Sequence, residues 1–408
     1  MTENPWGEDS PRELSHRLFL FSYMLMAITL PISEGLFQAA VAINFILIII
    51  YIRRWKDTFR VFLSSQIGLT ISLVLLWWII MTFFGKYTPI HSRAISNILS
   101  VFALFSGMCF FSIIHEREEN PNFLKNIIIA FAVTSFLCII AGYCQFFFGT
   151  FPSEEFFIPK NRSYIPQLYI PGHYLESKAI SGFFANRLKM AFFLMIPFSI
   201  LFPLVFHNDI SKQLKITISS TLFFLMMTQV FTYSRSAFIA MCFTFFVGVF
   251  SLVKTKQKYL FLVMSLFCFI LVSIFSSSAS ERFLSLFTSG FFADRFLIWK
   301  ICKEMFFDFP IAGTGFGSFF SASYEYYVTS IPKHSPWRTS CHNDSVTLAV
   351  TTGVIGLLLW FMFLVQILKM IIHVFKNAML YISLQNSLVI SSAMILLSLL
   401  IQSLVHEV

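Results

Sequence analysis

The chain has 408 residues, of which 57% are hydrophobic and only 12% charged, and 54 are phenylalanine. A soluble globular domain carries about 25% charged residues, so this composition, with a mean hydropathy of +0.76, excludes an ordinary soluble enzyme, a disordered chain and a nucleic-acid-binding domain. The formal net charge of +9 informs through its distribution rather than its sum.

The apolar runs are continuous rather than alternating. About 20 apolar residues span the hydrocarbon core as a helix, and backbone groups in lipid must be satisfied internally, so unbroken runs predict helices. Eleven are expected, at 18–33, 36–52, 61–84, 97–114, 127–149, 188–206, 216–233, 236–253, 259–276, 346–368 and 380–405. The first run lacks a small-residue cleavage site and reads as a retained helix. Alternate loops concentrate basic residues: Arg53, Arg54, Lys56 and Arg60, then Arg117 and Lys125, Lys212 and Lys215, Lys254, Lys256 and Lys258, and Lys369 and Lys376. The short loops between them hold Lys86, Arg93 and Arg235. Basic short loops stay cytoplasmic. The expected N-terminus is therefore cytoplasmic, and the long segments 150–187 and 277–345 lie at the outer face. The C-terminal His406-Glu407-Val408 follows the last run abruptly, which leaves a shortened chain or a missing twelfth span open. The expected fold is all-α, a polytopic transmembrane bundle of about 11–12 helices. It forms one integral membrane domain over residues 1–408, with a large outer loop before the last two or three helices.

Of the seven cysteines, only Cys302 and Cys341 fall in a long polar segment. No CxxC spacing supports zinc or thioredoxin-like chemistry. A Cys302–Cys341 disulfide is open on sequence, because spacing alone does not set the distance between two sulfurs.

The segment 277–345 exceeds an ordinary connection, since loops beyond about 12–15 residues usually have a function or structure of their own. Apolar residues at 296, 299, 302 and 306, with charges between them, predict an amphipathic helix with one face on the membrane surface, ended by Pro310. Gly313-Thr314-Gly315-Phe316-Gly317 follows. It reads as a tight turn in preference to a phosphate cradle, since no Gly-Lys-Ser/Thr follows it. His342, in Cys341-His342-Asn343-Asp344 where the tenth run begins, is either a bland interfacial residue or a proton acceptor suited to neutral pH. The neighbouring Asn343 and Asp344 are costly near lipid and point to a cavity.

Arg235 interrupts Thr232-Tyr233-Ser234-Arg235-Ser236 between two apolar runs with almost no loop. It can snorkel to the surface. The shortness of the turn favours a phosphate-holding guanidinium instead. In the first outer segment, Lys160, Arg162 and Lys178 with interleaved tyrosines suit lipid headgroups better than a site. Arg187 and Lys189 stand apart, at the mouth of the sixth run beside Gly182 and Asn186. No acidic pair offers metal ligands for a diphosphate, so arginines and lysines would have to carry that charge. Neither a metal nor a cofactor is expected.

These pieces together resemble the O-antigen ligase and O-antigen polymerase superfamily of bacterial inner-membrane glycosyltransferases. Thr232–Ser236 resembles its threonine/serine–arginine hairpin. Arg295 with Trp299 resembles its arginine-x3-tryptophan helix, and Asp308-Phe309-Pro310 through Gly313-Thr314-Gly315 its aspartate-x-proline and glycine-x-glycine turn. His342-Asn343 with Gly353-Val354-Ile355-Gly356, and Gly182 through Asn186, resemble further family signatures. Where the family often has further asparagine, this chain has Arg187-Leu188-Lys189, and the family usually continues beyond the last run. The resemblance covers about residues 180–360. It implies about twelve transmembrane helices, a large periplasmic loop and a glycan donor on undecaprenyl diphosphate. In the ligase branch the acceptor is the lipid A core; in the polymerase branch it is another lipid-linked repeat unit. By position, Arg235 and Arg295, aided by Arg187 and Lys189, would hold the donor diphosphate. His342 would activate the acceptor hydroxyl, supported by Asn343, Asn186, Trp299, Gly313 and Gly315. Composition alone would equally allow a transporter or channel. No inverted repeat or pair of discontinuous short helices is apparent to support one.

Overall fold

A computed structural model describes residues 11–32, 34–51, 55–87, 121–148, 183–184, 187–207, 210–232, 234–253, 290–330, 341, 343–377 and 384–404. The expected spans at 97–114 and 259–276 lie outside the described residues, as does most of the segment 150–187. Among the described residues the protein is helical, with twelve helices. They are α1 (Pro11–Thr29), α2 (Glu34–Ile50), α3 (Lys56–Ser64), α4 (Gln66–Phe84), α5 (Pro121–Phe148), α6 (Arg187–Leu204), α7 (Lys212–Phe231), α8 (Arg235–Leu252), α9 (Gly290–Asp308), α10 (Phe319–Ser330), α11 (Asp344–Lys376) and α12 (Leu384–Leu404). Gln66–Phe84, Asn126–Cys144, Lys212–Phe231 and Asp344–Lys376 are each long and apolar enough to cross a membrane, and shorter apolar helices accompany them. The chain is an all-α polytopic protein, as its composition predicts.

Two expected runs differ in detail. The run at 61–84 is two helices, because Ser65 is extended (φ −77, ψ 145) and caps α4 by accepting a hydrogen bond from the Gly68 amide at 3.0 Å. A short polar N-cap inside an apolar run restarts the helix without leaving a trace in hydropathy. The run at 346–368 is part of a 33-residue helix, α11, interrupted at Gly353.

The core gathers α5, α6, α7, α8, α11 and α12 around a phenylalanine-rich centre that includes Phe193, Phe198, Phe202 and Phe245. Helix α12 lies against α6, α8 and α11. It presents small buried residues, Ser391, Ala393 and Ser398, which let neighbouring backbones approach, the usual basis of helix association in lipid. Gly248 of α8 serves the same end, since a methyl group there would sit 2.6 Å from the Phe202 ring. Phe198, Phe202 and Phe245 stack or meet edge-on with centroids 5.4–6.3 Å apart. Polar side chains tie helix pairs across the bundle. Asn44 donates to Ser22 at 2.7 Å, Gln366 to Thr70 at 2.8 Å and Thr228 to Tyr143 at 3.3 Å.

Candidate functional site

Contacts place several chain signatures at one end of the bundle. The start of α6 meets the second half of α5, where Cys138 and Met190 lie 3.7 Å apart. The end of α7 meets the same part of α5 through Thr228 and through Phe231 on Tyr143. An apolar cleft of about 430 Å³ joins Phe192 of α6, Trp78 of α4, Asp344 at the head of α11 and Gln402 near the end of α12. The first residues of α6, α8 and α11 thus share an end with the last residues of α4, α5, α7 and α12.

At that end the outer loop closes onto a broken helix. Gly353 takes φ +68 and ψ −170, a region open essentially to glycine alone. The break lies about 14 Å along α11 from its start, at 1.5 Å per residue, and frees backbone groups that helix geometry would otherwise pair. Each finds a partner. The Val350 carbonyl accepts from the Thr314 amide at 2.9 Å and the Thr351 carbonyl from the Gly315 amide at 3.0 Å. The Thr352 carbonyl accepts from the Trp77 indole at 3.0 Å, and the Val354 amide donates to the Pro310 carbonyl at 2.8 Å. The other side of the glycine turn is fastened to α4. The Phe316 amide donates to the Met81 carbonyl at 3.3 Å, the Tyr87 amide to the Thr314 carbonyl at 3.2 Å, and Phe316 stacks on Trp78 at 4.5 Å. Non-helical backbone is tolerated at membrane depth only where protein or a cavity satisfies it, and here protein does.

This geometry decides between the two readings of Gly313–Gly317. Gly313, Gly315 and Gly317 have φ of 72, 121 and 79, and the amides of Gly313, Thr314, Gly315 and Phe316 all donate to backbone carbonyls. With those four amides committed to the fold, the turn is a structural clasp rather than a phosphate cradle. Gly353 and Gly313 are mutually required: a Cβ on either would overlap the backbone of the other segment. The sequence shows the glycines but not that they meet.

Helix α9 forms as predicted and ends at Asp308, before Pro310, with the Asp308 carboxylate accepting a hydrogen bond from the Tyr326 hydroxyl. One of its faces is covered by protein. Ile298, Ile301, Cys302 and Met305 are buried against Phe319 and Ala322 of α10 and Val350 of α11, with Trp299 and Phe306 only partly buried. The stripe through 298, 301, 302 and 305 rests on protein. The reason is the disulfide Cys302–Cys341, which the sequence left open and which draws α9 onto the head of α11. Trp299 reinforces it, its indole N–H donating to the Cys341 carbonyl at 3.0 Å. The Cys341 amide donates to Thr347 Oγ1 at 3.1 Å. Asn343 then caps α11, its Oδ1 accepting from the Val346 amide at 3.0 Å. The residues on both sides of position 342 are therefore fixed by their own bonds.

His342 itself lies outside the described residues, as does Asn186. The structure places Arg235 and Arg187 as the first residues of α8 and α6, and Arg295 within α9, without describing their side chains. Lys189, on the first turn of α6, is exposed. Trp299 and Asn343 meet at the head of α11, and Gly313 and Gly315 lie against its break further along. Lys86 joins them unanticipated, its ammonium 4.5 Å from the centre of the Phe309 ring.

Residues 220–361 match the model of a family described as O-antigen ligase. A comparison with curated proteins gives no match. The matched stretch contains the α7–α8 hairpin, α9, the glycine turn and the broken half of α11. Arg235, Arg295, Trp299, Gly313, Gly315, His342 and Asn343 fall inside it, whereas Asn186, Arg187 and Lys189 precede it. The apolar helices described above agree with a multi-pass membrane protein.

Proposed function

We propose that the protein is a metal-independent glycosyltransferase of the bacterial inner membrane. It transfers an O-antigen-type glycan from undecaprenyl diphosphate to the lipid A core at the periplasmic face. The observation that carries this reading is the tie between α9 and the head of α11. Trp299 bonds Cys341, and Arg295 lies four residues before Trp299 on the same helix face. We infer from this tie that Arg295 and His342 serve one site, at the end of the bundle where α6 and α8 begin with Arg187 and Arg235. The disulfide supports the periplasmic assignment, because such bonds persist in oxidising compartments, and this agrees with the cytoplasmic placement of the basic short loops.

In the proposed step the acceptor hydroxyl attacks the anomeric carbon of the donor sugar. His342 takes the hydroxyl proton, the bond from carbon to phosphate oxygen breaks, and the diphosphate departs on its lipid. Arg235 and Arg295, with Arg187 and Lys189, stabilise the negative charge that grows on the leaving oxygen, commonly the largest catalytic term. A base in reach of the hydroxyl adds typically about 10²–10⁴-fold. Asn343 and Trp299 hold the backbone around position 342. The cleft beside Asp344, lined by Ile71, Val74, Leu75, Phe363 and Leu396, suits the hydrocarbon chain of a lipid substrate, and a shared bilayer confines donor and acceptor together.

The test is lipopolysaccharide from a deletion strain complemented with variants. His342→Ala and Arg235→Ala, at normal membrane levels, should leave core without attached glycan while long lipid-linked chains persist. Full transfer by both variants overturns the site. Core carrying single repeats in the deletion strain would assign the polymerase reaction instead.

A further inference from the structure

Helix α3 is short and mixed in character in an otherwise apolar chain, and the candidate site makes no use of it. The span that follows it, α4, is 19 residues long, about 28 Å at 1.5 Å per residue, which matches a hydrocarbon core of about 30 Å. The last turns of α4 hold Trp77 and Met81 against the clasp. Helix α3 precedes the first turn of α4, at the opposite end of that span and so at the level of the headgroups.

Both ends of α3 are pinned by packing. Trp55, just before it, is buried and meets the Phe19 ring of α1 edge-on at 5.0 Å. At the far end Phe62 lies so close to α4 that a Cβ on Gly68 would overlap its carbonyl. Between these points four side chains remain open to the surroundings. Phe59 and Leu63 are 47% and 39% exposed, and Lys56 and Arg60 are exposed beside them. At 3.6 residues per turn the four fall within about 100° of arc, and each pair is spaced by four, which sets its members next to each other on the helix surface. Val61, also exposed, lies outside that arc. A ring and a branched alkyl group beside two cations fit the boundary of a leaflet. There apolar side chains enter the acyl region, and long basic ones reach up to the phosphates. Basic residues at this level favour anionic over neutral headgroups.

We propose that α3 is a docking surface for anionic phospholipid. Phe59 and Leu63 enter the acyl boundary, and Lys56 and Arg60 hold the lipid phosphates. The lipid thereby steadies α4 at one end, while the clasp grips it at the other. The leaflet is the cytoplasmic one, which rests on the orientation given above. The surface itself is separate from the transferase reading.

The test uses the full chain purified in an uncharged detergent, with phosphatidylglycerol as the probe and phosphatidylcholine as the control. Phosphatidylglycerol should raise the Tm of the wild type at lower concentration than phosphatidylcholine does. Lys56→Gln with Arg60→Gln should move the half-effect concentration of phosphatidylglycerol up by roughly ten- to thirtyfold, the worth of two basic residues beside an anionic leaflet. The phosphatidylcholine titration should stay where it was. Lys56→Arg with Arg60→Lys should keep the wild-type response, which separates charge from folding. Lys212→Gln with Lys215→Gln removes the same charge from the start of α7 and should shift the response less. An equal shift there overturns the proposal, because the response would then follow the total charge of that side. A wild type that answers both lipids alike overturns it too, as does a double glutamine variant that keeps the phosphatidylglycerol response. Ser64→Cys, at the exposed end of α3, tests the leaflet separately: a charged maleimide should label it, above the wild-type background, in inside-out vesicles and not in intact cells. Labelling from outside would overturn both the cytoplasmic leaflet named here and the periplasmic site, while the lipid titrations would still decide the surface.

Discussion

The phenylalanine core and the clasped end of α11 are held by different physics. In the core, α6, α8 and α12 meet through ring packing and small residues, with Phe198, Phe202 and Phe245 sharing the space among themselves. Such contacts are individually weak and numerous, and a neighbouring ring can turn to absorb a change. At the clasp, four backbone groups freed by one glycine are met by Thr314, Gly315, Trp77 and Pro310. No side chain there can give way, because the close approaches are backbone on backbone. The core therefore constrains composition, and the clasp constrains identity. That is the expected division in a membrane enzyme whose scaffold needs only apolar volume but whose site needs fixed positions.

Paired glycine substitutions break the comparison open most widely. Gly353→Ala places a side chain at φ +68 and drives its Cβ into the Ile311 carbonyl and the Ala312 amide, so a loss above about 4 kcal/mol is expected. Gly248→Ala meets only the edge of the Phe202 ring and the Met394 methyl, and overpacking of that sort costs about 1–3 kcal/mol. Fluorescence-detected size-exclusion chromatography after graded heating should show little monodisperse protein for the first and a lowered Tm for the second. Equal losses would mean that the clasp is no more demanding than the core.

Removing the disulfide sharpens the same contrast. It closes a separation of 39 residues, for which loop entropy gives about 4 kcal/mol. Cys302→Ser with Cys341→Ser should lower Tm and, more tellingly, should reduce glycan transfer beyond the loss of folded protein, because residue 341 would then be held only by the bonds to Trp299 and Thr347. A reducing agent should lower the Tm of the wild type and leave the double variant unmoved. An unreactive wild type would show that the two thiols are not paired in the membrane.

The unequal legibility of the two regions follows from the same difference. Long apolar runs record themselves in composition, so the helices from α4 to α8 and the pair α11 and α12 could be read directly. The break at Ser65 could not, since one serine scarcely lowers the hydropathy around it. The break at Gly353 could not either, because a glycine inside an apolar helix is ordinarily tolerated and its partners lie about 40 residues away at Pro310–Gly315. Which stripe of α9 meets protein is not legible either, because 299 and 306 are apolar as well. Only the disulfide and α10 select the stripe through 298, 301, 302 and 305. In the candidate site, Arg235 announced itself as a charge in an apolar stretch.

The smallest effect expected separates polar ties in the scaffold from those in the clasp. Gln366 of α11 donates to Thr70 of α4 at 2.8 Å, joining the same two helices as the clasp but further along them. Interhelical hydrogen bonds in membrane proteins average about 0.6 kcal/mol, because the alternative state also finds partners. Gln366→Met keeps the volume, removes the donor and should shift Tm only slightly, with glycan transfer unchanged. Trp77→Phe, by contrast, leaves the Thr352 carbonyl without its indole partner at the broken helix, and an orphaned buried acceptor costs about 1–3 kcal/mol. If Gln366→Met proved the costlier of the two, α4 and α11 would be joined chiefly by side chains along their length, and the clasp would be a local turn rather than the fastening that sets the end of α11.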